Sequence, residues 1–239
     1  MFSPGRNWEQ IRTTLAYNDR KAVIVGSHAG VSVGPDGGTH QAIEDIALMR
    51  VVPRMTVISP CDAIQARQAT LALAAHPTLA YPRLAREKTP VITTEETPFE
   101  LGKGQILYRP DGIAHVGIIA TGALVSQALR AAKELEEKNH LKAIVVNIHT
   151  IKPLDTDLIR AVAKETKAIV TVEEHSVIGG LGSAVAEYKA LKRNAPPQLL
   201  LGLPDKFDVT GDYRFLLERH GLVASKIFDK VLAFLNSNS

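Results

Sequence analysis

Cysteine is almost missing from these 239 residues, with Cys61 standing alone. No internal disulfide can form, and the usage implies a reducing, cytoplasmic compartment. Aromatic residues are scarce at 5%, which argues against the base-stacking platforms of single-strand nucleic-acid binders. No apolar run nears the length of a membrane span, and the opening Met1-Phe2-Ser3-Pro4-Gly5-Arg6 lacks a signal-peptide core. Neither charge dominates. A net charge of +3, with Lys and Arg scattered, suits anionic small molecules better than a nucleic-acid backbone, which demands a basic stripe. No internal repeat and no low-complexity segment occurs.

What is present is an ordinary globular composition, 45% hydrophobic and 22% charged, long enough for one large or two modest domains. Its one local excess is glycine. Gly30, Gly34, Gly37 and Gly38 fall in a single loop, Gly26–His40, which also carries His28, Asp36 and His40. Such density frees the backbone for left-handed turns and close approach to a ligand. The loop follows the apolar run Ala22-Val23-Ile24-Val25, and in open α/β sheets ligands settle at the carboxyl ends of strands.

The patterning on either side predicts alternating elements. Trp8, Ile11 and Leu15 share one face of a helix over Asn7–Tyr17, and a strand follows over Lys21–Val25. Thr39 is placed to cap a helix running from Gln41 to Arg50, and Met55–Ser59 reads as a buried strand. Asp62 caps a helix over Ala63–Ala75, and Leu79–Tyr81 is a short strand with Arg83 just past its end. Strands joined through helices imply a parallel sheet, so the glycine loop, Cys61-Asp62 and Arg83 converge on one edge. The opening helix has no strand before it, so the sheet is expected to lack its first units.

Hydrophobic periodicity stops over Thr89–Pro98, the predicted linker. Beyond it, Phe99–Leu107 and Ile113–Ala120 read as an antiparallel pair, followed by helix Leu124–Lys138, strand Ala143–Ile148 and helix Asp155–Glu165. Strand Ala168–Val172, helix Ser183–Arg193, strand Gln198–Leu201 and helix Ala224–Leu235 complete the series. The fold class is α/β. Two parallel-sheet-based three-layer domains span residues 1–88 and 99–239, joined by linker 89–98.

Of the candidate site residues, His28 and Arg83 are suited to anchor a sugar phosphate, an imidazole and a guanidinium both being good phosphate partners. The alternative is a loop histidine and an arginine paired with a carboxylate. His40, in the first turn of its expected helix, is disfavoured as imidazolium by the positive dipole end and is suited to donate a hydrogen bond while neutral. Asp36 can reach a substrate hydroxyl, although Asp-Gly is also ordinary turn chemistry. Gly179-Gly180-Leu181-Gly182 invites a dinucleotide reading, but Val185 stands where the fingerprint requires Gly or Ala, so a tight strand-to-helix turn is the better account. Glu173-Glu174-His175 has no supporting Cys pair or His spacing for a metal, which leaves a structural or interface role.

Together these segments resemble the transketolase family of thiamine diphosphate enzymes over essentially the whole chain. Gly34-Pro35-Asp36-Gly37-Gly38-Thr39-His40-Gln41 is similar to the family's pyrimidine-domain signature, and Tyr81-Pro82-Arg83 to its phosphate-binding arginine strand. Pro53 to Asp62, Thr150 to Asp155 and Val172 to Gly182 resemble further family segments. The resemblance implies that His28 and Arg83 contact the sugar phosphate, Asp36 the hydroxyl beside the reacting carbonyl, and His40 the donor's hydroxyls. His28 and His40 are thereby the catalytic candidates. Ser27-His28-Ala29-Gly30 is transketolase-like, whereas 1-deoxyxylulose-5-phosphate synthases carry arginine at the matching position.

The glutamate that activates the cofactor and the aromatic pocket for its pyrimidine have no counterpart in this sequence, nor does the diphosphate and magnesium motif. The resemblance therefore implies an N-terminally short C-terminal section of a split transketolase. Thiamine diphosphate and Mg2+ would be held mainly by an N-terminal diphosphate-binding subunit and by upstream residues missing from this sequence, with self-association through the C-terminal domain. The partners implied are that subunit and sugar phosphates, with no nucleic acid and no membrane. The alternatives are a fragment of a 1-deoxyxylulose-5-phosphate synthase or 2-oxoacid dehydrogenase beta-type subunit, a non-catalytic assembly module, or a nucleotide-binding protein.

Overall fold

The computed structural model describes residues 1–237. Its first half supplies β1 (Ala22–Val23), β2 (Gly26–Ser27), β3 (Thr56–Ile58) and β4 (Leu79–Leu84). The second half supplies β5 (Gln105–Tyr108), β6 (Val116–Ala120), β7 (Ala143–Asn147), β8 (Thr150–Lys152), β9 (Ala168–Ser176) and β10 (Gln198–Leu203). Among the described residues these strands form two sheets, ordered β1-β4-β3-β8, with β2 also on β4, and β10-β9-β6-β7-β5. Pairing is parallel except that β8 lies antiparallel to β3 and β5 antiparallel to β7. The chain is thus α/β with two parallel-dominated sheets.

Local signals placed the helices. Asp62 accepts a hydrogen bond from the Gln65 N–H at 2.9 Å and caps Ala63–Ala75, while Asp155 caps Thr156–Glu165 through the Leu158 N–H at 3.0 Å. Asp62 also holds the connecting segment, accepting from the N–H groups of Ile92 and Thr93 at 2.8 and 2.7 Å. Two α-helices among the described residues, Phe2–Arg6 and Tyr213–His220, are additional to the expected set; Asp212 caps the second. Its signal was present, since Tyr213, Leu216, Leu217 and His220 follow helical spacing behind an aspartate.

Pairing corrects the expected hairpin. Phe99–Leu107 and Ile113–Ala120 are not partners, because β6 lies between β7 and β9. Every residue of β6 is buried, and such an apolar strand belongs at the centre of a parallel sheet with neighbours on both sides. The half-exposed β5 takes the edge. Phe99 lies outside the strands and stacks on His149, ring centroids 4.4 Å apart.

Two further corrections bear on the site. The helix after the glycine loop is Asp45–Val51, with Glu44 rather than Thr39 at its cap position. A two-way bridge between Gly30 and Ala42, 2.9 and 3.1 Å, holds the preceding residues out of helical geometry. His40 therefore lies in a turn before the helix, and no helix dipole acts on it as a first-turn residue. Strand β4, in turn, runs on to Leu84, so Arg83 lies within it rather than past its end.

The two halves share a core. Val31 and Cys61 pack with Leu124, Val145, Val170 and Leu216, while Ile151 and Ala184 pack with Ile46, Met49, Val57 and Tyr81. Among the described residues no helix is long and apolar enough to cross a membrane.

Candidate functional site

The glycine loop leaves the carboxyl end of the first sheet, where Gly26 and Ser27 pair with Arg83 and Leu84. His28, Asp36 and His40 line one cavity of about 250 Å³ there, together with Phe2, Pro4, Gly26, Ser27 and Val33. All three polar side chains are exposed to solvent. The His40 ring meets Phe2 edge-on at 5.1 Å, and its Nδ1 lies 2.9 Å from the Thr39 hydroxyl. An arginine not anticipated from sequence stands beside them. Arg86 Nη1 donates to the Val33 carbonyl at 2.8 Å and lies 3.6 Å from Asp36 Oδ2. Its signal was position, two residues beyond the last residue of β4.

Arg83 reaches the same edge but turns inward. Its guanidinium, 4% exposed, donates through Nε to Asp45 Oδ2 at 2.7 Å. Nη2 donates to the carbonyls of Ala42 and Glu174 at 3.1 and 2.9 Å. Burial alone would raise the Asp45 carboxyl; the charge of Arg83, with the hydrogen bonds from Arg83 and Tyr81, outweighs it and holds it below the usual carboxylate range. Tyr81 donates to the same oxygen at 2.8 Å. The structure brings His28, Asp36 and His40 together, and the Arg83 guanidinium lies beneath them rather than among them.

Strand β9 explains the Glu173-Glu174-His175 run. Side chains alternate along a strand, so Glu174 points one way and its neighbours the other. Glu173 accepts the N–H groups of Leu181 and Gly182 at 2.6 and 2.8 Å, closing the start of helix Leu181–Ala190. The Gly179–Gly182 turn is therefore occupied by a carboxylate from its own domain. His175 Nε2 accepts from the N–H groups of Ile46 and Ala47 at 3.1 and 3.3 Å, and Nδ1 lies 2.7 Å from the Ser176 carbonyl. Accepting at Nε2 requires a neutral ring, with its proton on Nδ1. Burial agrees, pushing His175 down to about 4.

Glu174 faces the glycine loop. Its Oε1 accepts from the N–H groups of Val31 and Ser32 at 2.8 and 3.1 Å, and Oε2 accepts from the Tyr213 hydroxyl at 2.5 Å. Gly30 adopts φ +60°, and a Cβ there would lie 2.4 Å from Glu174 Oε1. Gly38 is fixed from the other side, where a Cβ would come within 2.8 Å of the Asp208 carbonyl. These two glycines admit protein neighbours rather than a ligand. The partners lie more than 140 residues away in sequence, beyond the reach of any local signal.

Cys61 is buried, and burial with the nearby Asp62 pushes its thiol up to about 12, away from the reactive thiolate. Asn147 Nδ2 lies 3.4 Å from its sulfur.

Residues 1–90 match the transketolase pyrimidine binding domain, and residues 102–227 match the transketolase C-terminal domain. The chain belongs to the transketolase family. A protein of Methanocaldococcus jannaschii described as a transketolase C-terminal section is 41% identical over 97% of this chain and 72% of its own length. A 6-deoxy-6-sulfo-D-fructose transketolase subunit of Clostridium sp. is 40% identical over 95% of this chain and 69% of its own. Among solved structures, a split-gene transketolase described as an inactive beta4 tetramer superposes with TM-score 0.87 at 38% identity. That match covers all of this chain and 74% of that one. The transketolase relatives thus include subunits of split enzymes.

Proposed function

We propose that this chain is the sugar-binding, C-terminal section of a split transketolase, which moves a two-carbon ketol unit between sugar phosphates once joined to a diphosphate-binding subunit. The observation that supports this most is the meeting of His28, Asp36 and His40 on one cavity at the carboxyl edge of the first sheet. A sugar phosphate presents an anion at one end and hydroxyls along its length. His28 is suited to donate to the phosphate, Asp36 to accept from the hydroxyl beside the carbonyl, and His40 to bond the donor's hydroxyls and relay a proton there. The exposed Arg86 guanidinium adds positive charge at the rim. Arg83, although it belongs to the same set by resemblance, serves the site from beneath through Ala42 and Glu174.

Enzymes of this family work with thiamine diphosphate, which supplies the carbanion chemistry. The cavity's own donors are two imidazoles and one carboxylate. No group of three His, Cys, Asp or Glu able to hold a metal ion occurs among the described residues. That donor set fits sugar hydroxyls and a phosphate rather than a magnesium diphosphate, so the cofactor and Mg2+ are assigned to the partner subunit, and no step is routed through them. Self-association through the C-terminal domain and a cytoplasmic location complete the reading.

The chain alone is expected to be inactive. A coupled transketolase assay with thiamine diphosphate, Mg2+, a ketose phosphate and an aldose phosphate tests this, with and without a diphosphate-domain subunit. Turnover only in the mixture supports the reading, whereas robust turnover by the chain alone overturns it.

A further inference from the structure

The sugar-site residues all hang on one loop, and the groups that fix that loop come from elsewhere. Glu174 is buried at the end of β9 and does not line the cavity holding His28, Asp36 and His40. Its carboxyl nonetheless takes three donors: the N–H of Val31 at 2.8 Å, the N–H of Ser32 at 3.1 Å and the Tyr213 hydroxyl at 2.5 Å. Two of them are main-chain groups of the glycine loop, so the carboxylate dictates the path of the backbone between His28 and Asp36. Gly30 adopts its left-handed turn directly against Glu174, leaving no space for a side chain. Ser32 extends the grip, its hydroxyl donating to the Ala29 carbonyl at 2.6 Å and accepting from the Arg86 N–H at 3.2 Å. Tyr213 opens helix Tyr213–His220, so a second element of the C-terminal half fixes the carboxyl from behind.

Building on the sugar-site reading, we propose that Glu174 and Tyr213 are positioning residues. From the C-terminal domain they clamp the glycine loop and thereby hold His28 and Asp36 at the spacing a phosphorylated ketose requires. Sites of this kind demand sub-ångström placement, which buried supporting groups supply. A carboxylate is the fitting residue type because its two oxygens accept several N–H and O–H donors at once. Its loss would leave two buried N–H groups and the part-buried Tyr213 hydroxyl without this acceptor.

The test uses the full chain with Glu174→Ala, Glu174→Gln and Tyr213→Phe. Two readouts are taken: amide hydrogen exchange of residues 29–37 and calorimetric affinity for fructose 6-phosphate. Glu174→Ala is expected to raise exchange in this loop at least tenfold, while β6 and β7 keep their protection, and to weaken sugar affinity about tenfold. Tyr213→Phe should give a smaller change in the same direction, about threefold. Glu174→Gln keeps an acceptor for both loop amides and should restore affinity to within about threefold of wild type. A purely structural role predicts a different pattern, in which protection falls across the whole molecule and Gln gives no rescue. Unchanged loop exchange in Glu174→Ala overturns the clamp, as does a loosened loop with affinity within twofold of wild type. Should Glu174→Ala fail to fold, Tyr213→Phe decides by the same two readouts. Wild-type chain that binds no fructose 6-phosphate overturns the sugar-site reading; the clamp on the loop is then judged by exchange alone.

Discussion

At the scale of single residues, the titratable groups on β9 set opposing pH dependences. His175 is pushed down to about 4 by burial, below its unfolded value near 6.5. Its contribution to stability is therefore complete above pH 6.5 and is lost as pH falls toward 4. Burial raises Glu173 and Glu174 to about 7. For these acids the sign reverses, the folded state binding protons more tightly than the unfolded one, so stability falls as pH rises from about 4.5 through 7. Replacing Glu174 by Gln removes one such ionisation. Urea unfolding at pH 5 and pH 8 should show the stability of Glu174→Gln, relative to wild type, improving toward pH 8. A difference independent of pH would refute the linkage. Gly30→Ala meets both a left-handed φ and a 2.4 Å contact with Glu174 Oε1, and is expected to cost about 1–3 kcal/mol in the same measurement.

Elements depend on one another through buried polar contacts rather than on sequence-local signals alone. The Asp45–Arg83 pair joins helix Asp45–Val51 to β4, both side chains being almost wholly buried. Asp45→Ala leaves a buried guanidinium short of its counter-charge and should destabilise the chain by roughly 3–5 kcal/mol, read from the shift in urea midpoint. The legibility of elements follows the same division. Asp62 announced its helix because a cap acts within three residues; Asp155, expected as a helical residue, caps its helix in the same way. Arg83 could not be placed correctly, since its orientation depends on Asp45, Ala42 and Glu174, two of them about forty residues upstream and one about ninety downstream. His40 was assigned to a helix that starts five residues later because the Gly30–Ala42 bridge is a tertiary contact. Strand β8, from the second half, completes the first sheet for a comparable reason: pairing of Val57 with Lys152 and Ile58 with Thr150 is too distant in sequence to leave a periodic trace.

For the molecule as a whole, the seam between the two halves is where fold and function meet. β8 joins the first sheet, Val31 and Cys61 enter the core of the second half, and Glu174 and His175 reach back to the glycine loop and its following helix. The cluster of His28, Asp36 and His40 on one cavity was legible in outline because these residues sit close together in sequence, between Gly26 and His40; its supports were not. The most direct measurement is an NMR titration of the histidine-labelled chain with fructose 6-phosphate. The account predicts saturable shifts at His28 and His40, with the buried His149 and His175 unmoved, and loss of the response in Asp36→Ala. Absence of any saturable change at His28 and His40, or shifts at all four rings alike, would contradict it.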